Sequence, residues 1–168
     1  GIGALYIREG LRLAPYIMGG AQEGRRRAGT EAMPAIAAFG AAAEAAKKAM
    51  PECTAHMAAM KKDIIAKLSA GIPELTYVDT PAPHILSISL PGWRSEVLMN
   101  VLEAQEIYVS KSSACKKGGQ SHVLEAIGLP TKVIDGALRI GLSRFNTDED
   151  VDALCAALIA ARSTLAHR

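Results

Sequence analysis

Aromatic residues make up only 4% of this 168-residue chain, which leaves few of the stacking platforms that a general binder of single-stranded nucleic acid uses. An excess of one charge is also missing. Nineteen Lys and Arg stand against 17 Asp and Glu, and a formal net charge of +2 supplies no field for holding a polyanion. No apolar run reaches the length of a membrane span, and residues 1–20 lack the layout of a secretory signal. Cysteine is limited to three widely spaced residues with no CxxC pair, which excludes a disulfide framework and argues against a structural zinc site. The expectation is a protein of a reducing, cytoplasmic setting, with no membrane, nucleic-acid or metal partner.

What the chain does have is apolar content. At 49% hydrophobic residues it can bury a core, either as one domain or as a domain plus part of another. Its opening, Gly1-Ile2-Gly3-Ala4-Leu5-Tyr6-Ile7-Arg8, begins as if in mid-strand, so a piece of a longer polypeptide is expected. Residues 4–7 read as a strand and residues 11–18 as a second extended piece. Residues 33 to about 70 are Ala-rich and helical, with Pro51 predicting a kink or two helices meeting near Met50. Strands are expected at residues 75–78, 85–90, 107–110 and 137–143. Helices are expected from Ser95, from an N-cap at Ser121, and from Asn146-Thr147 almost to the end. In the second strand Leu86, Ile88 and Leu90 share one face and Ser87 and Ser89 the other. This is an α+β arrangement with helices covering a small sheet.

Three stretches carry candidate chemistry. Cys115 follows a β-branched and aromatic run, lies among small residues and has Lys116 and Lys117 beside it. A thiol attacks as the thiolate, and adjacent positive charge favours ionisation; the same residues also suit a solvated Lys-Gly loop with an incidental cysteine. Cys53 and Cys155 instead fall on helical apolar stripes, where a cysteine serves as a small buried hydrophobe. Arg139 is set among small neighbours, Gly141 and Ser143, on the strand face opposite Leu138, Ile140 and Leu142. That position leaves room for a carboxylate to approach as a bidentate partner, although an ordinary surface arginine fits as well. Residues 20–31 bracket Arg25, Arg26, Arg27 and Thr30 with glycines. Such a segment can wrap an anion or remain an exposed basic loop.

The order GIGALYIR, GGAQEGRRRAGTE, PHILSISLPG, IYVSKSSACKKGG with SHVLEAIGLP, and ALRIGLSRFNTDEDVD resembles the cysteine desulfurase family, class V enzymes of fold type I that depend on pyridoxal phosphate (PLP). The resemblance implies that residues 1–45 are the last part of a large PLP-binding domain and residues 46–168 a small C-terminal domain, joined by a long helix. It makes Cys115 the nucleophile that takes sulfur from L-cysteine, leaving alanine and an enzyme persulfide. Arg139 becomes the holder of the substrate carboxylate. Thr30, with Arg27 and Gly29, becomes a phosphate contact across a homodimer. The sulfur would pass to an acceptor protein, an iron–sulfur scaffold or a tRNA-thiolation protein. Lys111, Ala32 and His84 depart from the family's usual residues.

The resemblance also places the Schiff-base lysine upstream of Gly1, and no lysine precedes Lys47. The chain alone is therefore expected neither to bind PLP covalently nor to desulfurate cysteine. Two other readings stay open: a selenocysteine lyase or other class V aminotransferase segment, and a non-catalytic dimerisation or docking module.

Overall fold

The computed structural model describes residues 1–78, 80–111 and 121–164. The chain divides into two units, Gly1–Met50 and Pro51–Arg168.

In the first unit, residues 4–7 form no strand, and of the extended piece at 11–18 only Ile17 joins a partner, in a parallel bridge to Arg27. A strand exists only where a neighbour supplies its hydrogen bonds. Leu5, Tyr6, Tyr16 and Met18 are exposed. Residues Gln22–Arg25 make a tight turn in which Glu23, Gly24 and Arg25 all take left-handed backbone angles, with φ of 49°, 61° and 64°. Helix α1 (Met33–Gly71) then begins, and it continues through Pro51 without ending. Pro51 deletes one backbone hydrogen bond, and the chain keeps its helical path on both sides of it.

The second unit is built on a four-stranded sheet of β1 (Thr76–Val78), β2 (Ile85–Ser89), β3 (Ser110–Lys111) and β4 (Ala137–Gly141), in the order β1-β2-β4-β3. Every pairing is antiparallel. Alternation along the strands sends Leu86, Ile88, Leu138 and Ile140 to one face, where they meet Ile64 and Leu68 of α1, Leu98 and Leu102 of α2 (Ser95–Glu103), and Leu158 of α5 (Asp148–Thr164). Burying each such side chain contributes roughly 1.5–3 kcal/mol. The other face is covered by two single-turn helices, α3 (His122–Ala126) and α4 (Thr131–Asp135), through Leu124 and Ile134 on Ala137.

Local signals place the ends of these elements. The Ser121 hydroxyl caps α3 by accepting the Leu124 N–H at 3.4 Å, and Gly128 beyond it takes φ +78°. Gly136 leads into β4 so close to β2 that a Cβ there would fall 2.2 Å from the Leu90 carbonyl oxygen. Ser89, on the same side of β2, donates to the Val133 carbonyl at 2.6 Å. Helix α4 has no counterpart in the sequence reading, and the expected strand at 107–110 shrinks to Ser110–Lys111.

Candidate functional site

Arg139 occupies the middle of β4, the sheet's second strand from its β3 edge. The register sets it directly between Ser87 of β2 and Ser110 of β3. All three lie on the face opposite the main core. The guanidinium is half-buried and has no acidic partner among the described residues. Two flanking serines leave space that larger side chains would fill, and their hydroxyls add donors beside the fork. A planar cation held on a rigid strand between small polar neighbours suits a carboxylate. The small neighbours named from sequence, Gly141 and Ser143, are its companions along the chain; the cross-strand pair Ser87 and Ser110 emerges only once the strands are paired.

At the edge strand, Lys111 donates to the Glu96 carboxylate in the first turn of α2. The hydrogen bond from Lys111, followed by one from Glu96's own backbone N–H, holds the Glu96 carboxyl below the usual carboxylate range. Lys111 is the last described residue before the stretch that contains Cys115. Cys115 itself, with Lys116 and Lys117, lies outside the described residues.

The other two thiols are placed. Cys155 is buried in the core of α5, and that burial pushes its thiol up to about 11. Cys53 is half-buried rather than enclosed, a correction to its reading as a core residue. It lies on α1 one turn before Met57, which only flanks the cluster, so the stripe is closed over from Met60 onward.

In the first unit, Arg27 donates to the Ala28 carbonyl at 2.8 Å, and the Gly29 N–H donates to the Gln22 side chain at 3.3 Å. Gly29 takes φ +117°, and a Cβ there would fall 2.5 Å from an Arg27 guanidinium nitrogen. The backbone angle is what calls for glycine here, since the Arg27 guanidinium is the far end of a flexible side chain and can move aside. Thr30 is exposed beside them. Among the described residues no group of three or more His, Cys, Asp or Glu could hold a metal ion, and no helix is long and apolar enough to cross a membrane.

Comparison with known proteins gives a concordant result. The chain is 39% identical over 157 residues to cysteine desulfurase IscS of Methanosarcina thermophila, covering 90% of this chain and 39% of that protein. It is 36% identical over 157 residues to cysteine desulfurase 2 of Trichormus variabilis, with the same coverage. The chain thus spans about two fifths of the length of these relatives. Among solved structures, a NifS-like protein superposes with a TM-score of 0.81 at 32% identity, over 95% of this chain and 42% of that one. A NifS-like protein from Rickettsia africae gives 0.78 at 26% identity, over 92% of this chain and 41% of that one. The model of the aminotransferase class-V family matches residues 1–154, and the chain belongs to that family.

Proposed function

We propose that this chain is the carboxy-terminal portion of a cysteine desulfurase, in which Cys115 receives sulfur from L-cysteine whose carboxylate is gripped by Arg139. The observation that carries the proposal is the setting of Arg139: a half-buried guanidinium between Ser87 and Ser110, with no acidic partner among the described residues. The motif Ser112-Ser113-Ala114-Cys115 and the desulfurase relatives support the choice of reaction.

The family depends on PLP, and the first unit's donors fit its phosphate. Arg27 and Thr30 are both exposed, with Gly29 between them at a positive backbone angle, φ +117°, that side-chain-bearing residues rarely adopt. Arg27 and Thr30 would hold the phosphate oxygens. Bound PLP supplies the electron sink that makes scission of a C–S bond accessible.

The chain's own residues perform the remaining work. Arg139 fixes the substrate carboxylate with two parallel N–H donors and so sets the orientation of the side chain. The Cys115 thiolate attacks the substrate sulfur; the new S–S bond forms as the C–S bond breaks, and the electron pair stays with carbon. Protonation of that carbon yields alanine, and Cys115 carries the persulfide. A thiolate of an acceptor protein then attacks the outer sulfur and leaves Cys115 free.

The test joins this chain to the amino-terminal portion of the Methanosarcina relative that it does not span, and follows alanine from L-cysteine together with the sulfide that added dithiothreitol, itself oxidised to its disulfide, releases from the persulfide. The reading requires one-to-one production, abolition by Cys115→Ser, and an increase in KM of about ten- to a hundred-fold in Arg139→Lys, where the fork is lost. Turnover undiminished in Cys115→Ser would select a class V enzyme that needs no thiol, such as a selenocysteine lyase. The chain without that portion is expected to show no turnover.

A further inference from the structure

The seat around Arg139 has two walls of unequal strength. Ser87 stands on β2, inside the sheet, with Val78 of β1 on one side and Arg139 on the other. It is 9% exposed. Two residues along the same face, Ser89 spends its hydroxyl on the Val133 carbonyl, so α4 closes that end. Ser110 is the opposite wall, and it stands on a strand of two residues that has β4 as its one neighbour among the described residues. Residues 107–109 add no ladder pairs to it. An edge held by so few backbone bonds is among the first parts of a sheet to open.

The further tie on this edge is Lys111. Successive residues of a strand face opposite ways. Ser110 therefore shares the face of Arg139, while Lys111, paired with Leu138, shares the core face on which α2 packs. There it meets Glu96 in the first turn of α2, and α2 is seated by Leu98 and Leu102, both fully buried. One ion pair thus holds, from the far side of the sheet, the backbone that carries Ser110 beside Arg139.

We infer that Glu96 is a positioning residue for the carboxylate seat: through Lys111 it keeps Ser110, and so the width of the gap beside Arg139, fixed for an amino-acid carboxylate. The inference rests on the reading of Arg139 as the carboxylate holder. Without the pair, β3 spends part of its time away from β4 and the seat is complete in only a fraction of molecules. Affinity for a carboxylate falls by that fraction. A partly exposed ion pair shifts such a balance by no more than about five-fold. The loss belongs to binding, so it raises KM and leaves kcat in place.

The experiment has two arms. In the joined protein, Glu96→Gln and Lys111→Met should each raise KM for L-cysteine about two- to five-fold, with kcat within about two-fold of the parent. The double variant should be no worse than either single one, the mark of two residues acting as one pair. The second arm needs neither turnover nor PLP: the 168-residue chain, ¹⁵N-labelled, is titrated with propionate and, as a neutral control, with propionamide. Propionate should shift the Ser110 and Arg139 amides saturably, and Glu96→Gln should weaken it by the same two- to five-fold, roughly. Propionamide should leave both amides in place. Unchanged KM and propionate affinity in Glu96→Gln, with Arg139→Lys still impaired, would overturn the inference and leave the desulfurase reading standing. A fall in kcat at constant KM, additive losses in the double variant, or amides unmoved by propionate would overturn it too. Turnover that ignores Cys115→Ser, with the propionate arm behaving as stated, would instead remove the desulfurase reading and keep the seat.

Discussion

Lys111, at the end of the edge strand, and Glu96, in the first turn of α2, form an ion pair across 15 residues of sequence. The pair ties the last described residue before the Cys115 stretch to a helix seated in the core through Leu98 and Leu102. Both side chains keep contact with solvent, 28% and 53% exposed, so the direct contribution to stability is small. Glu96→Gln should lower the unfolding free energy by about 0.2–1 kcal/mol in urea titrations, with the difference shrinking at high salt. The pH dependence has a fixed sign. Because the folded carboxyl sits below its usual value, the contribution is present above the unfolded value of 4.5 and disappears as pH falls through the depressed one.

Cys155 predicts the opposite dependence. Its thiol is raised from 9.0 to about 11 in the folded chain, so above about 9 the unfolded state loses a proton that the folded state keeps. Stability should therefore fall between pH 9 and 11, by roughly 2–3 kcal/mol from this group. Urea midpoints of the parent and of Cys155→Ala, measured across that range, should converge as pH rises. A constant gap would show that the thiol does not carry the effect.

Gly136→Ala tests the approach of β4 to β2. A methyl group placed 2.2 Å from a backbone oxygen cannot be accommodated by rotating a side chain, so the strands must separate. A loss of at least about 1–3 kcal/mol is expected in thermal or urea unfolding. Gly141→Ala, with open space at its Cβ position, should cost no more than about 0.5 kcal/mol and serves as the matched control.

Leu68→Ala probes the other side of the sheet. Leu68 is fully buried between α1 and the core, and its truncation should cost about 2–5 kcal/mol by calorimetry or urea titration. A smaller loss would mean that α1 settles into the gap.

Much of this architecture is written in local pattern. The alternation of Leu86, Ile88 and Leu90 against Ser87 and Ser89, the stripe through Met60, Ile64 and Leu68, and the Ser121 cap each depend on residues close in sequence, and each appears where the pattern puts it. What escaped depends on partners. Residues 4–7 have a strand's composition and no neighbour to pair with among the described residues. Helix α4 is a single turn, shorter than any window in which a helical period can be recognised. Residues 107–109 carry strand formers, yet the chain enters them from Glu106 at φ 60° and does not join β4 until Ser110. For the site, Arg139 was visible as a lone cation on a strand, while Ser87 and Ser110 became its neighbours only through long-range register. The Lys111–Glu96 pair is likewise a product of tertiary structure.

The central place of β4 has a consequence for biosynthesis. β1 and β2 are made before the strand that completes their hydrogen bonding and links them to β3, residues 137–141. Until it arrives, Leu86 and Ile88 line an unfinished surface open to stray pairing. Translation pauses before residue 137 should therefore leave nascent chains that call on chaperones.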